Sequence, residues 1–297
     1  MDQDFVDALR PLLFSIAYRM LGSASDAEDV LQDAWLRYHG ADTSAIRSAK
    51  AFATTVVTRL CLDRLKSART KREEYVGPWL PEPVLTSDVE DPEGLLQRAE
   101  SVTLAFLVLL EQLSPEERAV FLLKDIFEYD HSAIGKMLGM SVDNSRQLLH
   151  RAKAKLAEGR PAMRGTPQSR RAVAERFARA VSSGDTAGLT ALLAKDARMW
   201  SDGGGKASAA RRPLVGRDQV LNLLVGLHRT AQTTDLIRSA SWRIEDVNSE
   251  PALVIRVGER LESIFVLSIN DDAISEIRVV RNPDKLAHIG RRLTAVH

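Results

Sequence analysis

The 297-residue sequence predicts a multidomain protein in which two all-α domains precede an α+β domain. Three observations lead to this prediction. Apolar residues recur at helical spacing through the first half of the chain, with a proline-rich interruption at residues 73–93. A second segment of helix breakers covers residues 159–167. After Gln168 the pattern changes to two helices and then to runs that are typical of strands.

These breaks divide the chain into five consecutive parts. We expect a first all-α domain at residues 1–75, a Pro-containing linker at 76–99, a second all-α domain with a helix-turn-helix at 100–160, a short linker at 161–167 and the α+β domain at 168–297. With 44% apolar and 27% charged residues, the composition is that of a soluble protein with enough apolar residues for separate cores.

Cysteine usage, charge and hydropathy exclude several classes of protein. Cys61 is the only cysteine, so neither an intramolecular disulfide nor a cysteine-based zinc cluster can form. The net charge of +1 argues neither for nor against a nucleic-acid partner. No apolar run approaches the roughly 20 residues needed to span a membrane, and Asp2, Asp4 and Asp7 have the wrong charge for a signal peptide. We therefore expect a cytoplasmic protein.

The first two predicted helices lead to an acidic surface. Residues 4–21 carry an apolar stripe, and Gly22 ends this helix. Ser25 and Glu28 have the spacing of a capping box, so the next helix is expected to begin at Asp26. Its outward polar side chains include Asp29, Gln32 and Asp33. An acidic face of this kind is either solvated or a docking surface for a basic partner.

The third predicted helix, at about residues 50–69, becomes basic towards its end. Residues 59–72 contain six Lys or Arg residues, among them Arg59, Arg64, Lys66 and Arg69, against one acidic residue. Basic side chains near a helix C-terminus are favoured by the helix dipole. The same patch attracts phosphate, so both explanations stay open.

The sequence GPWLPEP at residues 77–83 cannot be helical, because its three prolines fix an extended backbone. Trp79 and Leu80 are unlike the polar residues of a flexible linker. We expect a rigid strap that is pressed onto another domain.

Residues 130–156 predict a helix-turn-helix. Asp130 or Ser132 can cap its first helix, Gly139 ends it, and Ser141 caps the second. Leu148 lies on the apolar stripe of the second helix, with Leu149, Ala152 and Leu156. Its opposite face carries Arg146, Gln147 and His150, near the end that usually meets base edges. The alternative is an ordinary helical hairpin with a solvated basic face.

The last domain is predicted to contain two helices at 170–194 and an inserted helix at 216–229. Its strands are expected at residues 197–200, 236–247, 252–257, 263–269 and 273–280, with a hairpin turn at 270–272. Polar candidates for chemistry are Asp202, Lys206, His228, Asp235, Arg256, Arg278 and Asn282. They show neither a metal-ligand spacing nor a recognisable His/Asp pair, so we expect no catalysis, no metal and no cofactor. The His228 side chain fits a helix face or a core.

Three segments carry a resemblance to a known family. They are DAEDVLQDAWLR at 26–37, FATTVVTRLCLDRLKSARTKR at 52–72 and the long segment 113–156. In order and spacing they resemble the extracytoplasmic-function (group IV) sigma factors of the sigma-70 family. Residues 168–297 resemble a SnoaL-like domain of the NTF2-like α+β cone fold. WLPEP (79–83), DGGGK (202–206) and NPDKL (282–286) are similar to signature segments of the sigma-J-like subgroup.

The resemblance implies an alternative sigma factor with three interfaces. Core RNA polymerase would bind through its β′ clamp and β flap, with the clamp on Asp29, Gln32 and Asp33. The −10 promoter element would meet Arg59, Arg64, Lys66 and Arg69. The −35 element would meet Arg146, Gln147, His150, Arg151 and Lys153, the last two through phosphate. Many relatives have Asn at the position of Arg59 and Arg at that of Leu148, so this chain departs from the family pattern at both.

The C-terminal domain is expected to regulate by holding the two sigma domains in a compact arrangement. The expected regulatory contacts are Trp79, Leu80, Pro81, Asp202, Gly203, Gly204, Lys206, Asn282, Pro283, Asp284 and Lys285. A small-molecule or protein effector could act there. The alternative for the DGGGK segment is a flexible strand connection. Two other functions stay open: a one-component DNA-binding regulator that senses a ligand, and a SnoaL-type enzyme with a DNA-binding appendage.

Overall fold

The computed structural model describes residues 3–41, 46, 48–73, 75–89, 100–157, 164–233 and 239–295. The chain forms two compact units. We call residues 1–74 with 87–161 the helical unit, and residues 75–86 with 162–297 the sheet unit. The proline-rich strap, residues 75–86, therefore belongs to the sheet unit, although it is joined to the helical unit at both ends.

The helical unit is built from short and medium helices. They are α1 Gln3–Leu21, α2 Ala24–His39, α3 Ala49–Glu73, α4 Thr86–Val89 (which begins in the strap), α5 Leu104–Leu110, α6 Pro115–Phe121, α7 His131–Leu138 and α8 Val142–Leu156. A π-helical turn, Leu122–Ile126, continues α6. Among the described residues, no helix is both long enough and apolar enough to cross a membrane.

The start of α2 differs from the prediction. The N-cap is Ser23, whose side chain accepts a hydrogen bond from the Asp26 backbone N–H, and the helix begins at Ala24. The predicted start at Asp26 is wrong because Gly22, with φ of 66°, already turns the chain out of α1. The next residue therefore takes the capping position, and Ser25 lies within the helix.

The helix-turn-helix forms as predicted. Asp130 caps α7 by accepting a hydrogen bond from the Ala133 N–H at 2.7 Å. Gly139 ends α7 with φ of 69°, and Ser141 caps α8. The buried residues between the two helices and α6 form one cluster, which contains Val120, Leu123, Ile134, Met137 and Leu148. Leu148 is thus a core residue, as the helical wheel predicts.

The sheet unit has a six-stranded sheet with the order β2-β1-β6-β5-β4-β3. Its elements are α9 Pro167–Ser183, α10 Thr186–Leu192, β1 Leu193–Asp202, β2 Leu214–Val215, α11 Arg217–Thr233, β3 Ala240–Val247, β4 Glu250–Val257, β5 Arg260–Asn270, β6 Ala273–Val280 and α12 Pro283–Ala295. The β1–β6 pair is parallel and the other pairs are antiparallel. The predicted α+β class is confirmed, and the two-residue β2 has no counterpart in the prediction.

The two faces of the sheet carry different residues. Phe265 and Leu267 of β5 belong to a core cluster that includes Phe177 of α9 and Leu224 of α11. The alternate residues of β5 point to the other face, where the buried Ser268 hydroxyl meets a carboxylate of β4. The helix-covered face is therefore an apolar core, and polar side chains of the sheet concentrate on the opposite face.

Candidate functional site

The acidic face of α2 is held by one arginine of α3. Arg64 reaches Asp26 at 3.3 Å, and Asp29 and Asp33 at 3.4 Å each. The three aspartates follow each other at spacings of three and four residues, so they form one stripe. Their side chains stay about half exposed or more, and Gln32 beside them is exposed. This stripe is a solvated, negatively charged surface, and its counter-charge within the described part of the chain is Arg64.

The opposite side of α3 contacts the helix-turn-helix part of the same unit. Arg59 donates from Nε to the Met137 carbonyl at 2.8 Å, in the last turn of α7. Lys66 pairs with Glu116 of α6 at 3.2 Å. All three predicted −10 residues whose side chains are described, Arg59, Arg64 and Lys66, thus bind groups of the helical unit. The side chain of Arg69 lies outside the described part.

Two buried arginines add hydrogen bonds between α1 and the second half of the helical unit. Arg19 of α1 is 2% exposed and donates from Nε to the Ser101 hydroxyl at 2.9 Å. Arg118 of α6 is 3% exposed and donates to the Met20 carbonyl at 2.7 Å, at the end of α1. It also pairs with Glu111 at 2.9 Å, while its Nε finds no hydrogen-bond partner among the described residues.

Burial also affects the acid–base chemistry of Arg118. Removal from water lowers the pKa of Arg118 to about 10. A buried guanidinium with one unused donor carries a desolvation cost that its hydrogen bonds only partly offset. Opening the contact would therefore regain hydration for a charged group, which limits how much the contact stabilises the helical unit.

The exposed face of α8 carries the predicted −35 residues. The Arg146 side chain is 64% exposed, and its ion-pair partner among the described residues is Asp143, three residues earlier. Gln147 and His150 are also exposed. Arg146 and Gln147 lie in the N-terminal half of α8, where a recognition helix meets base edges, and His150 lies just beyond it.

The two predicted phosphate contacts differ from these residues. Arg151 lies 3.8 Å from Glu117, and Lys153 pairs with Asp125 at 2.9 Å. Both side chains remain more than half exposed. Glu117 also closes the capping box of α6 with Ser114. Burial opposes ionisation of Glu117, but hydrogen bonds from Lys155 and the Ser114 N–H outweigh it and lower the carboxyl pKa.

The sheet unit contains a buried carboxylate that binds the strap. Asp202, at the end of β1, is 0% exposed. It accepts hydrogen bonds from the Tyr75 hydroxyl at 2.5 Å, from the Leu80 backbone N–H at 2.8 Å and from Lys285 Nζ at 2.7 Å. Burial, followed by the hydrogen bond to Asp202, raises the pKa of the Tyr75 phenol. We call this group of four residues the Asp202 node.

Lys285 makes further contacts with the strap. Its ammonium also donates to the Leu80 carbonyl. The same ammonium lies 4.7 Å from the ring centre of Tyr75 and 4.4 Å from that of Trp79. Such aromatic faces attract a cation, and the attraction is stronger when the cation is desolvated. The Trp79 ring thus lies against Lys285 of NPDKL, within the sheet unit.

The glycines of DGGGK make room for these contacts. A Cβ on Gly204 would lie 2.2 Å from the Asn282 amide nitrogen, and Gly204 has φ of 58°. Asn282 donates from that amide to the Tyr75 hydroxyl at 2.9 Å. A Cβ on Gly203 would meet the Ala207 carbonyl at 2.1 Å. The turn therefore needs glycine for close approach, which a merely flexible connection would not.

The remaining predicted regulatory residues surround the node. Lys206 pairs with Asp284 at the surface. Pro283 is exposed and begins α12, and Pro81 is buried in the strap. WLPEP, DGGGK and NPDKL, which are far apart in sequence, are thus brought together inside one unit.

The far end of the strap is held by the β3–β4 turn. Val84 donates its N–H to the Asn248 side chain at 3.1 Å and accepts from the Asn248 N–H at 3.1 Å. The Thr86 hydroxyl accepts from the Ser249 N–H at 2.9 Å. Asn248 is fully buried, and Leu85 forms a β-bridge with Val247. The strap is therefore anchored at both ends. Sequence reasoning missed Tyr75 and Asn248, which lack a distinctive local pattern.

The polar candidates for catalysis are dispersed or paired. His228 is half buried on α11 and contacts the Gly184 turn, in line with a helix-face residue. Arg278 lies over the Trp200 ring and pairs with Glu276. Arg256 donates to the Glu259 carbonyl in a hairpin. Asp235 lies outside the described residues. Within the described ranges, no three metal-ligating side chains form a cluster.

Two stretches of the chain match known families. Residues 5–71 match Sigma-70 region 2, and residues 103–156 match Sigma-70, region 4. The ECF RNA polymerase sigma factor SigJ of Mycobacterium tuberculosis is 41% identical over 224 residues, which cover 74% of this chain and 71% of that protein. The probable ECF RNA polymerase sigma factor SigI of the same species is 32% identical over 282 residues, or 94% of this chain and 92% of that protein.

A solved structure supports the same relationship along the whole chain. The crystal structure of the Mycobacterium tuberculosis extracytoplasmic function sigma factor SigJ covers 96% of this chain and 98% of its own, with a TM-score of 0.76 and 32% identity. The likeness includes the sheet unit as well as both helical parts.

Proposed function

Because this chain belongs to the extracytoplasmic-function sigma factors of RNA polymerase, we propose specific roles for its surfaces within that function. It is an alternative sigma factor that binds core enzyme and directs promoter-specific initiation, and its fused C-terminal domain modulates that activity. A factor that works on polymerase and promoter DNA would act in the cytoplasm.

We propose that the outward stripe of α2 binds core polymerase. Asp29, Gln32 and Asp33 offer negative charge and an amide on one solvated helix face. A basic helix pair such as the β′ clamp is complementary to that charge. Arg64 is then a neighbour of the polymerase surface, because its described contacts are with the acidic stripe of α2.

We propose that α8 reads the −35 element. Arg146 and Gln147 are free to reach base edges, since the one described partner of Arg146 is an exposed aspartate. His150 is a third candidate on the same face. Arg151 and Lys153 are proposed phosphate contacts that would exchange their internal carboxylates for DNA.

We propose that the described arrangement of the helical unit is a closed form that cannot read a −10 element. The observation that carries this proposal is the contact of Arg59 with the Met137 carbonyl, supported by the ion pair of Lys66 with Glu116. We call α1 to α3 the −10 part and α6 to α8 the −35 part. The surface of α3 that would meet DNA is thereby occupied by the −35 part. The two parts must separate before both promoter elements can be bound.

We propose that the sheet unit regulates this opening through the strap. The strap is the covalent connection between the −10 and −35 parts, and both of its ends are anchored on the sheet unit. Anchoring shortens the length of free chain between the two parts, and so limits the distances that they can reach. A free-energy difference of about 1.4 kcal/mol between the closed and the separated forms would already change the ratio of their populations tenfold.

The sheet unit is proposed to be regulatory and not catalytic. Its helix-covered face is filled by apolar side chains, while Asp202, Lys285 and Asn282 are engaged in binding the strap. Likeness of fold does not carry catalysis with it. A small-molecule or protein effector would then act by changing how firmly the strap is held.

Transcription from purified components tests these roles. The full-length chain mixed with core polymerase should start transcripts at a cognate promoter, and Asp202→Ala and Trp79→Ala should change the yield without moving the start site. Glu175→Ala, which removes a surface ion pair with Arg171 of α9, serves as a control in the same unit. A chain that only blocks or recruits preformed holoenzyme would contradict the sigma-factor roles. Unchanged yield with both Asp202→Ala and Trp79→Ala would contradict the role of the strap.

A further inference from the structure

A cavity of about 310 Å³ lies beside the acidic stripe, between α1, α2 and the start of α3. Its lining includes Leu9, Leu13, Asp29, Gln32, Trp35 and Ala53. Two of the three proposed polymerase contacts therefore form part of its wall. We call it the α2 cavity.

Exposed apolar side chains accompany this cavity. Trp35 is 38% exposed and Leu36 is 57% exposed, on consecutive positions of α2. Leu36 follows Gln32 by four residues, so it continues the polar stripe on the same face. Large exposed apolar groups beside an open cavity mark a site for a partner, because they gain burial only when another surface covers them.

The charges at the rim indicate the chemistry of that partner. Glu28 and Asp29 both line the cavity, and Glu28 forms an ion pair with Arg10 of α1. Deeper in the cavity the lining is apolar, with Leu13 and Ala34 each 6% exposed. The complementary group is an apolar side chain that enters the cavity, flanked by lysine or arginine that meets the rim.

We infer that the α2 cavity is the socket for an apolar anchor residue on the basic helix of core polymerase that the α2 stripe binds. The inference rests on the proposed role of α2 and adds to it a specific energetic centre. Charged pairs at the edge of an interface contribute little, whereas an apolar side chain buried in a central pocket contributes much. Trp35 forms a wall of the socket, and Asp29 and Gln32 set the register of the helix.

Filling the cavity provides a sharp test. Ala53→Leu places extra carbons in the cavity without removing any group, and Ala51→Leu adds the same atoms at an exposed position of the same helix. We expect Ala53→Leu in the full chain to weaken binding to core polymerase about tenfold or more, and Ala51→Leu to leave it unchanged. Thermal melting checks that both variants are folded.

Truncating the wall gives a second, independent arm. Trp35→Ala should also weaken binding about tenfold, while Trp242→Ala, which removes a similarly exposed tryptophan (41%) from the sheet unit, should not. A photo-cross-linking amino acid at position 35 should attach to a core segment in which an apolar residue is flanked by Lys or Arg.

The outcomes distinguish a failure of the socket inference from a failure of the proposed role of α2. If Asp29→Ala weakens binding but folded Ala53→Leu and Trp35→Ala bind core like the unmodified chain, the socket is wrong and the stripe stands. If Asp29→Ala has no effect either, both are wrong. Cross-links from position 35 to an acidic segment, or none to core, would also overturn the socket.

Discussion

Asp202 in the sheet unit and Asp29 in the helical unit are carboxylates in opposite environments. Asp202 is fully buried and accepts three hydrogen bonds of 2.5–2.8 Å from the strap and Lys285. The Asp29 side chain is 65% exposed and shares one arginine with two other aspartates at 3.3–3.4 Å. The first arrangement is complete within the chain, whereas the second leaves most of its capacity for an external cation.

This difference separates two kinds of charge. A structural charge holds parts of the chain together, and a recruiting charge is available to bind a partner. A buried pair cannot lose one partner without leaving the other desolvated and unpaired. An exposed pair costs little to break, because water solvates both groups. The Asp202 node is therefore suited to holding the strap, and the α2 stripe to exchanging its internal cation for one of a partner.

Asp202→Ala should destabilise the sheet unit by about 3–5 kcal/mol, because it leaves the Lys285 ammonium buried without its carboxylate. Denaturant unfolding of the full chain measures this change. Asp284→Ala, which removes the surface partner of Lys206, should stay within about 0.5 kcal/mol. Similar losses for the two variants would remove the distinction.

Arg118→Ala should destabilise the helical unit by about 2–3 kcal/mol, since it removes charged hydrogen bonds to the Met20 carbonyl and Glu111. The same change should favour separation of the −10 and −35 parts, so the free chain should bind promoter DNA more readily. Calorimetry and DNA binding without polymerase check the two effects. A destabilised chain whose DNA binding is not increased would argue against a closed form.

Arg146→Ala or Gln147→Ala should each lose about 1–3 kcal/mol of discrimination at one base pair of the −35 element, with little loss of stability. Lys153→Ala should weaken all promoters alike and reduce the salt dependence of binding. Binding to a set of single-base promoter variants at two salt concentrations separates these effects. Equal effects of all three substitutions across the set would contradict the assignment.

Glu117→Gln should cost about 1 kcal/mol at neutral pH, and the cost should depend on pH. The folded-state carboxyl pKa is lowered from its ordinary value of 4.5, so Glu117 stabilises the folded chain above that value. Its contribution is lost as the pH falls through the folded-state pKa. Unfolding curves of both proteins should therefore converge in acid. A constant difference from pH 7 to pH 3 would show that Glu117 acts without ionising.

Asp29→Ala should change the free energy of unfolding by less than about 0.5 kcal/mol, because Arg64 retains two other carboxylates. Its binding to core polymerase should nevertheless weaken. The pair of measurements identifies a recruiting charge. A large loss of stability would place Asp29 with the structural charges instead.

Local signals made much of the fold predictable. The caps at Asp130 and Ser141 and the glycine at 139 act through hydrogen bonds and backbone angles within a few residues, so the sequence indicates them directly. Leu148 is assigned to the core by helical spacing alone. The start of α2 is the exception, because two serines compete for one capping position.

The destination of the strap was not predictable in the same way. Trp79 and Leu80 indicate burial, but the group that covers them depends on folding of the later sheet. Tyr75, Asp202 and Lys285 meet only because β1 ends beside the start of α12, as the parallel β1–β6 pair requires. Likewise, periodicity cannot tell that Arg59 would meet the last turn of α7. Long-range pairing of polar groups has no local signature.

We propose that the −10 and −35 parts are in contact in the free chain and separate in the working complex. Fluorescent labels on Ala51→Cys in α3 and Lys136→Cys in α7 report their distance by energy transfer. Cys61 is buried and its thiol pKa is raised by that burial, so the introduced cysteines should label selectively. One short distance in the free chain, replaced by a longer one with core polymerase and promoter, is the predicted result. The same short distance in an initiating complex would contradict the claim.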